Sequence, residues 1–128
     1  MSRILVIDDE KDVLLLLQEA LTTYGHDVTG AVSGVEAVDF LENQKADLII
    51  LDLRMPDISG LELLRWVRDH QIAAPVIVCS ALSALRNEYT VSTSHVSAFI
   101  PKPIDLPHLI AEVSRALGPD STTAMGKA

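Results

Sequence analysis

Positive charge is scarce in this chain. Ten lysines and arginines stand against 18 aspartates and glutamates, giving a net charge of −8 over 128 residues. Such a surface repels nucleic-acid phosphates and argues against direct binding of DNA or RNA. Cysteine is nearly absent as well. Cys79 stands alone, so no internal disulfide forms, and a reducing compartment, the cytoplasm, is the expected location. It sits in the run Val76-Ile77-Val78-Cys79, where a small buried hydrophobe is a plainer reading than a reactive thiol. No apolar run reaches membrane-spanning length and the first residues do not read as a signal peptide, so no membrane partner is expected. No glycine-rich loop follows the first apolar run, which removes a dinucleotide-binding turn. His26, His70, His95 and His108 are scattered without metal spacing and read as surface residues.

What is present is apolar and regularly punctuated. At 48% hydrophobic residues, the chain can fill one core. Leu48-Ile49-Ile50-Leu51 reads as a strand buried on both faces, of the kind found in the middle of a parallel sheet. Ile4 to Ile7 and Val76 to Cys79 read the same way, with a weaker edge strand over Val28–Val32 and a last short strand at Ala98-Phe99-Ile100. Helical spacing links Val13, Leu14, Leu16, Leu17, Ala20, Leu21 and Tyr24, closed by Gly25. Ser33 with Glu36 and Ser59 with Glu62 are capping boxes that open helices carrying Val35, Ala37, Val38, Phe40 and Leu41, and then Leu61 to Val67. Asp105 caps a final helix through Leu117, stopped by Gly118-Pro119. Between residues 82 and 96 a fourth helix is expected to be short or frayed, because residues 90–94 hold poor helix formers. The alternation implies an α/β fold, a doubly wound five-stranded parallel sheet with helices on both faces. Residues 1–118 form one domain, and 119–128 read as a mobile C-terminal tail.

In such sheets ligands bind at the carboxyl ends of the strands. That rim carries Asp8 and Asp9, Asp52, Ser80 and Lys102, brought together from far apart in sequence. Crowded carboxylates repel one another, and a divalent cation relieves the repulsion. Mg²⁺ suits oxygen ligands and keeps room for waters and phosphate oxygens. The same inventory supports phosphoryl chemistry: an attacking carboxylate, a hydroxyl donor and an ammonium to neutralise charge. Each residue alone has a blander reading. Asp8 and Asp9 could cap a helix, Asp52 could form a turn before Pro56, and Lys102 could be solvated. Their coincidence at one rim favours the chemistry.

Asp8-Asp9-Glu10 after a strand, Asp52 with Pro56 and Gly60, Ser80-Ala81, and Lys102-Pro103 together resemble the receiver domain of two-component response regulators. The likeness runs over roughly residues 3 to 118. It implies a flavodoxin-like strand order of 2-1-3-4-5 and phosphorylation of Asp52 by a sensor histidine kinase or a histidine phosphotransfer protein. It further implies Mg²⁺ held by Asp9, Asp52 and the backbone carbonyl of Arg54, with Asp8 acting partly through water. Lys102 and Ser80 would bind the phosphoryl group, and the Lys102–Pro103 bond would be cis. Ser80 would move toward that group and Phe99 would turn inward, altering the face built from the fourth helix, fifth strand and fifth helix. That face would control a downstream protein or output domain, or support a dimer. Arg54 and Leu82, beside the acceptor and hydroxyl, would set the phosphoryl lifetime. On this reading the chain is not an enzyme with a separate substrate but a phosphoacceptor regulatory domain, catalysing its own phosphorylation and dephosphorylation. Two rivals differ in class. A phosphatase of the haloacid dehalogenase type would carry an Asp two residues after the nucleophile, where this chain has Arg54. A receiver-like scaffold that signals without phosphorylation would have an incomplete acidic site.

Overall fold

A computed structural model describes residues 2–81 and 96–118. The expected fourth helix, Leu82 and the tail over 119–128 lie outside the described residues. The described chain runs β1 (Arg3–Ile7), α1 (Lys11–Thr23), β2 (Asp27–Ala31), α2 (Gly34–Asn43), β3 (Leu48–Leu51), α3 (Gly60–Asp69), β4 (Val76–Ala81), β5 (Ala98–Lys102) and α4 (Leu106–Leu117). The five strands are parallel, in the order β2-β1-β3-β4-β5.

Strand alternation divides the core into two layers. Leu5, Ile7, Ile49, Leu51, Val76 and Val78 point to one face and meet Ala37, Leu63, Leu64 and Val67 from α2 and α3. Ile4, Val6, Leu48, Ile50, Ile77, Cys79 and Ile100 point to the other and meet Leu14, Leu17, Leu21, Leu109 and Val113 from α1 and α4. Each large side chain so buried contributes roughly 1.5–3 kcal/mol, so packing rather than helix propensity holds the layers in place. Burial also pushes the Cys79 thiol up to about 12, which makes it a core residue and not a nucleophile.

The helix ends follow local chemistry. Ser33 and Ser59 accept the amides of Glu36 and Glu62, as the two capping boxes require. Asp105 accepts the amide of His108 at the start of α4. Gly25, at φ 87°, closes α1, with Gly25 N–H donating to Thr22 and His26 N–H to Leu21, the double bond of a Schellman stop. Several expectations need correction. Leu16 and Tyr24 are 43% and 40% exposed and Val35 is 61% exposed, because each helix packs on one side only and these residues lie on the other. His26 is buried rather than on the surface, at 8% exposure. Strand β5 also runs two residues further than its apolar run, through Pro101 and Lys102. Proline is tolerated there because β5 is an edge strand.

Candidate functional site

The sheet order changes direction between β1 and β3: the first crossover leads outward to β2, and the chain then returns to the other side of β1. At such a switch point two loops diverge and leave a crevice. Asp8 and Asp52 follow the two strands that flank it, each anchored by its main chain. The Asp8 amide donates to Ala31 and the Asp52 amide to Ile7, both at 3.0 Å. Both residues are buried, at 2% and 6% exposure.

Lys102 arrives from the far edge of the sheet, where β5 pairs Lys102 with Ala81. Its Nζ lies 2.7 Å from Asp8 Oδ2, 2.7 Å from Glu10 Oε1 and 3.1 Å from Asp52 Oδ2. Burial works against its charge, but the hydrogen bonds to the three acids outweigh it and hold the ammonium above the usual lysine range. Asp8 is shifted upward, chiefly by burial, with the hydrogen bond from Lys102 and the Glu10 amide only partly opposing. Ser80, next to Ala81 on β4, donates from Oγ to Asp52 Oδ1 at 2.6 Å, and the Arg54 amide donates to the same oxygen at 3.1 Å. Both oxygens of Asp52 are therefore engaged, one by two neutral donors and the other by the ammonium.

The structure thus brings Asp8, Asp52, Ser80 and Lys102 together. Asp9 it places differently: that side chain is exposed, and the carboxylates whose oxygens lie within 4.8 Å of one another are Asp8, Glu10 and Asp52. Glu10 was legible only as the third acid of a run, with nothing in its spacing to aim it at Lys102. Phe99 is partly buried in the α2–α3 core layer, opposite Val78. Val78 and Ser80 share a face, so the aromatic ring and the hydroxyl lie on the same side of the sheet. The Lys102–Pro103 peptide is cis, as expected. Arg54 is exposed at the mouth of the site.

The residues fit a divalent cation. Three carboxylates face one ammonium, leaving an excess of negative charge on hard oxygen donors, the set that Mg²⁺ takes. No helix among the described residues is long and apolar enough to cross a membrane.

Comparison with known proteins gives a consistent result. The family profile described as response regulator receiver domain matches residues 4–114. Response regulator MprA of a Mycobacterium species is 33% identical over 126 residues, covering 93% of this chain and 55% of that protein. The chain therefore spans about half the length of that relative. Polar-differentiation response regulator DivK of Brucella ovis is 28% identical over 117 residues and is covered over 95% of its length. Among solved structures, response regulator TrrA of Thermotoga maritima in complex with Mg²⁺–BeF superposes with a TM-score of 0.83 at 34% identity, over 91% of this chain and all of that one. The receiver domain of Francisella response regulator 1452 gives 0.83 at 30% identity, over 91% and 97% of the two chains.

Proposed function

For a chain that belongs to the response regulator receiver domain family, we propose a phosphorylation-dependent switch in which Asp52 accepts the phosphoryl group. The observation that carries the proposal is the pair of contacts on Asp52, with Ser80 at 2.6 Å on one oxygen and Lys102 at 3.1 Å on the other. In the reaction a carboxylate oxygen of Asp52 attacks phosphorus, the bond from phosphorus to a donor histidine nitrogen breaks, and its electron pair returns to the imidazole. The oxygen that becomes esterified gives up donors it holds here. The phosphoryl oxygens offer acceptors in their place, so Ser80 and Lys102 exchange one partner for another without being left buried and unpaired.

Asp52, the Arg54 carbonyl, Asp8 and Asp9 would hold Mg²⁺ as the family pattern assigns them, with Glu10 the acid this structure adds. The ion, when bound, neutralises charge on the transferring group. Phosphorylation comes from a sensor histidine kinase or a histidine phosphotransfer protein, and hydrolysis of the aspartyl phosphate resets the switch. Readout follows the face around β5 and α4, which contributes to contacts with a downstream protein, an output domain or a second copy. The phosphoryl group shifts a balance between two packings of Ser80 and Phe99 only insofar as it binds one better.

Beryllofluoride with Mg²⁺ mimics the aspartyl phosphate and tests the switch. Its addition is expected to move the amide resonances of Ser80 and Phe99 in the wild type and neither in Asp52→Asn. Absence of any response in the wild type would favour a scaffold that signals through contacts alone. Steady turnover of small phosphate esters would favour a phosphatase.

A further inference from the structure

The loop from Leu53 to Ser59 carries the Arg54 amide that touches the acceptor, yet it has no regular structure to hold it. Its base is fixed by close packing. A Cβ on Gly60 would lie 2.5 Å from the Asp52 carbonyl oxygen and 2.5 Å from Leu53 Cα, and the Gly60 amide donates to the Leu53 carbonyl at 2.8 Å. Its tip is fixed by a different element. Asp57 Oδ1 accepts the amide of Gly34 and Oδ2 the amide of Val35, both at 3.0 Å. Those are the first two amides of α2, and Ser33 Oγ takes the third, from Glu36. Beside this clamp a Cβ on Gly34 would come within 2.6 Å of Ile58 Cβ, so loop and helix are in direct contact. The bonds to Val35 and Gly34 also hold the Asp57 carboxyl below the usual aspartate range.

We infer that Asp57 is a positioning residue for phosphoryl acceptance, tying the loop after β3 to the first turn of α2 and so fixing Leu53 and Arg54 over Asp52. The inference rests on the reading of Asp52 as phosphoacceptor. Only three peptide bonds separate Asp57 from Arg54, and Pro56 stiffens the stretch: its ring fixes one dihedral and biases Met55 before it toward extended backbone. Movement at residue 57 is therefore passed back to residue 54, whose amide already touches Asp52. A plain helix cap would need only the α2 end of this contact. The positioning role needs both ends.

Mg²⁺ alone, titrated into the full chain and followed by backbone amide resonances, separates the two. In the wild type the Leu53 and Arg54 amides should shift saturably. Asp57→Ala should weaken Mg²⁺ binding by about tenfold, as loss of a group that holds a metal ligand in place does. Asp57→Asn, which keeps one acceptor oxygen, should fall between. Ser33→Ala uncaps the same helix end without touching the loop, and should leave the Mg²⁺ midpoint unchanged while lowering stability. Wild-type affinity in both Asp57 variants, or equal weakening in Ser33→Ala, would overturn the inference; should Asp57→Ala fail to fold, Asp57→Asn decides alone. A wild type that does not respond to Mg²⁺ would overturn the reading of the acceptor site, and this inference with it.

Discussion

Ser80 Oγ and Asp52 Oδ1 are 2.6 Å apart, with Asp52 directly after β3 and Ser80 near the end of the neighbouring parallel strand β4. Ser80 is 1% exposed and Asp52 6%, so water does not readily replace either partner. Ser80→Ala leaves Oδ1 with the Arg54 amide alone. A hydrogen bond to a buried charged group contributes roughly 1.5–3 kcal/mol, and an unfolding free energy lowered by that amount, read as a lower urea midpoint, is expected in metal-free buffer. An unchanged midpoint would mean the oxygen finds another donor.

Lys102 and Glu10 meet at the same 2.7 Å as Lys102 and Asp8, but the two contacts differ in worth. Glu10 is 60% exposed and Asp8 only 3% at the side chain. Glu10→Gln should shift stability by less than about 1 kcal/mol, as exposed ion pairs do. Lys102→Met strands two buried carboxylates and should lose on the order of 3 kcal/mol, part of it recovered by adding Mg²⁺. Urea unfolding with and without the ion measures both. Equal losses from the two variants would show that exposure does not set the ranking.

The sheet and most helix ends were legible because their causes are local. Four-residue apolar runs announce buried parallel strands, and a serine three residues before a glutamate announces a helix start. Exposure on the helices was harder. In the run Val13 to Leu17 every residue is apolar, so the pattern does not say which leucines face the sheet. Only packing shows that Leu14 and Leu17 do and that Leu15 and Leu16 do not. The rim residues at strand ends were legible for the same reason as the strands. Glu10 and Asp57 were not, since one acts through a lysine 92 residues away and the other through amides 22 and 23 residues back. No periodicity encodes such contacts.

His26 opens a pH dependence unrelated to the site. Its ring is buried, Nδ1 has no hydrogen-bond partner among the described residues, and burial lowers its affinity for a proton below the ordinary value of 6.5. The unfolded chain then binds the proton more readily than the folded one, so stability falls as pH drops below 6.5 toward the lower folded-state value. Above 6.5 the group has no effect. Urea unfolding at several pH values should show a shallower slope between about pH 7 and 5 for His26→Phe than for the wild type. Identical slopes would show that the ring is protonated without strain.

Asp52 as phosphoryl carrier is the central claim, and intact-mass measurement after incubation with acetyl phosphate tests it most directly. The wild type with Mg²⁺ should gain the mass of one phosphoryl group in a form released by base and by hydroxylamine, as an acyl phosphate is, and should gain none when the ion is chelated. Asp52→Asn should gain none in either condition. Equal labelling of Asp52→Asn, or no labelling of the wild type with Mg²⁺ present, would contradict the account.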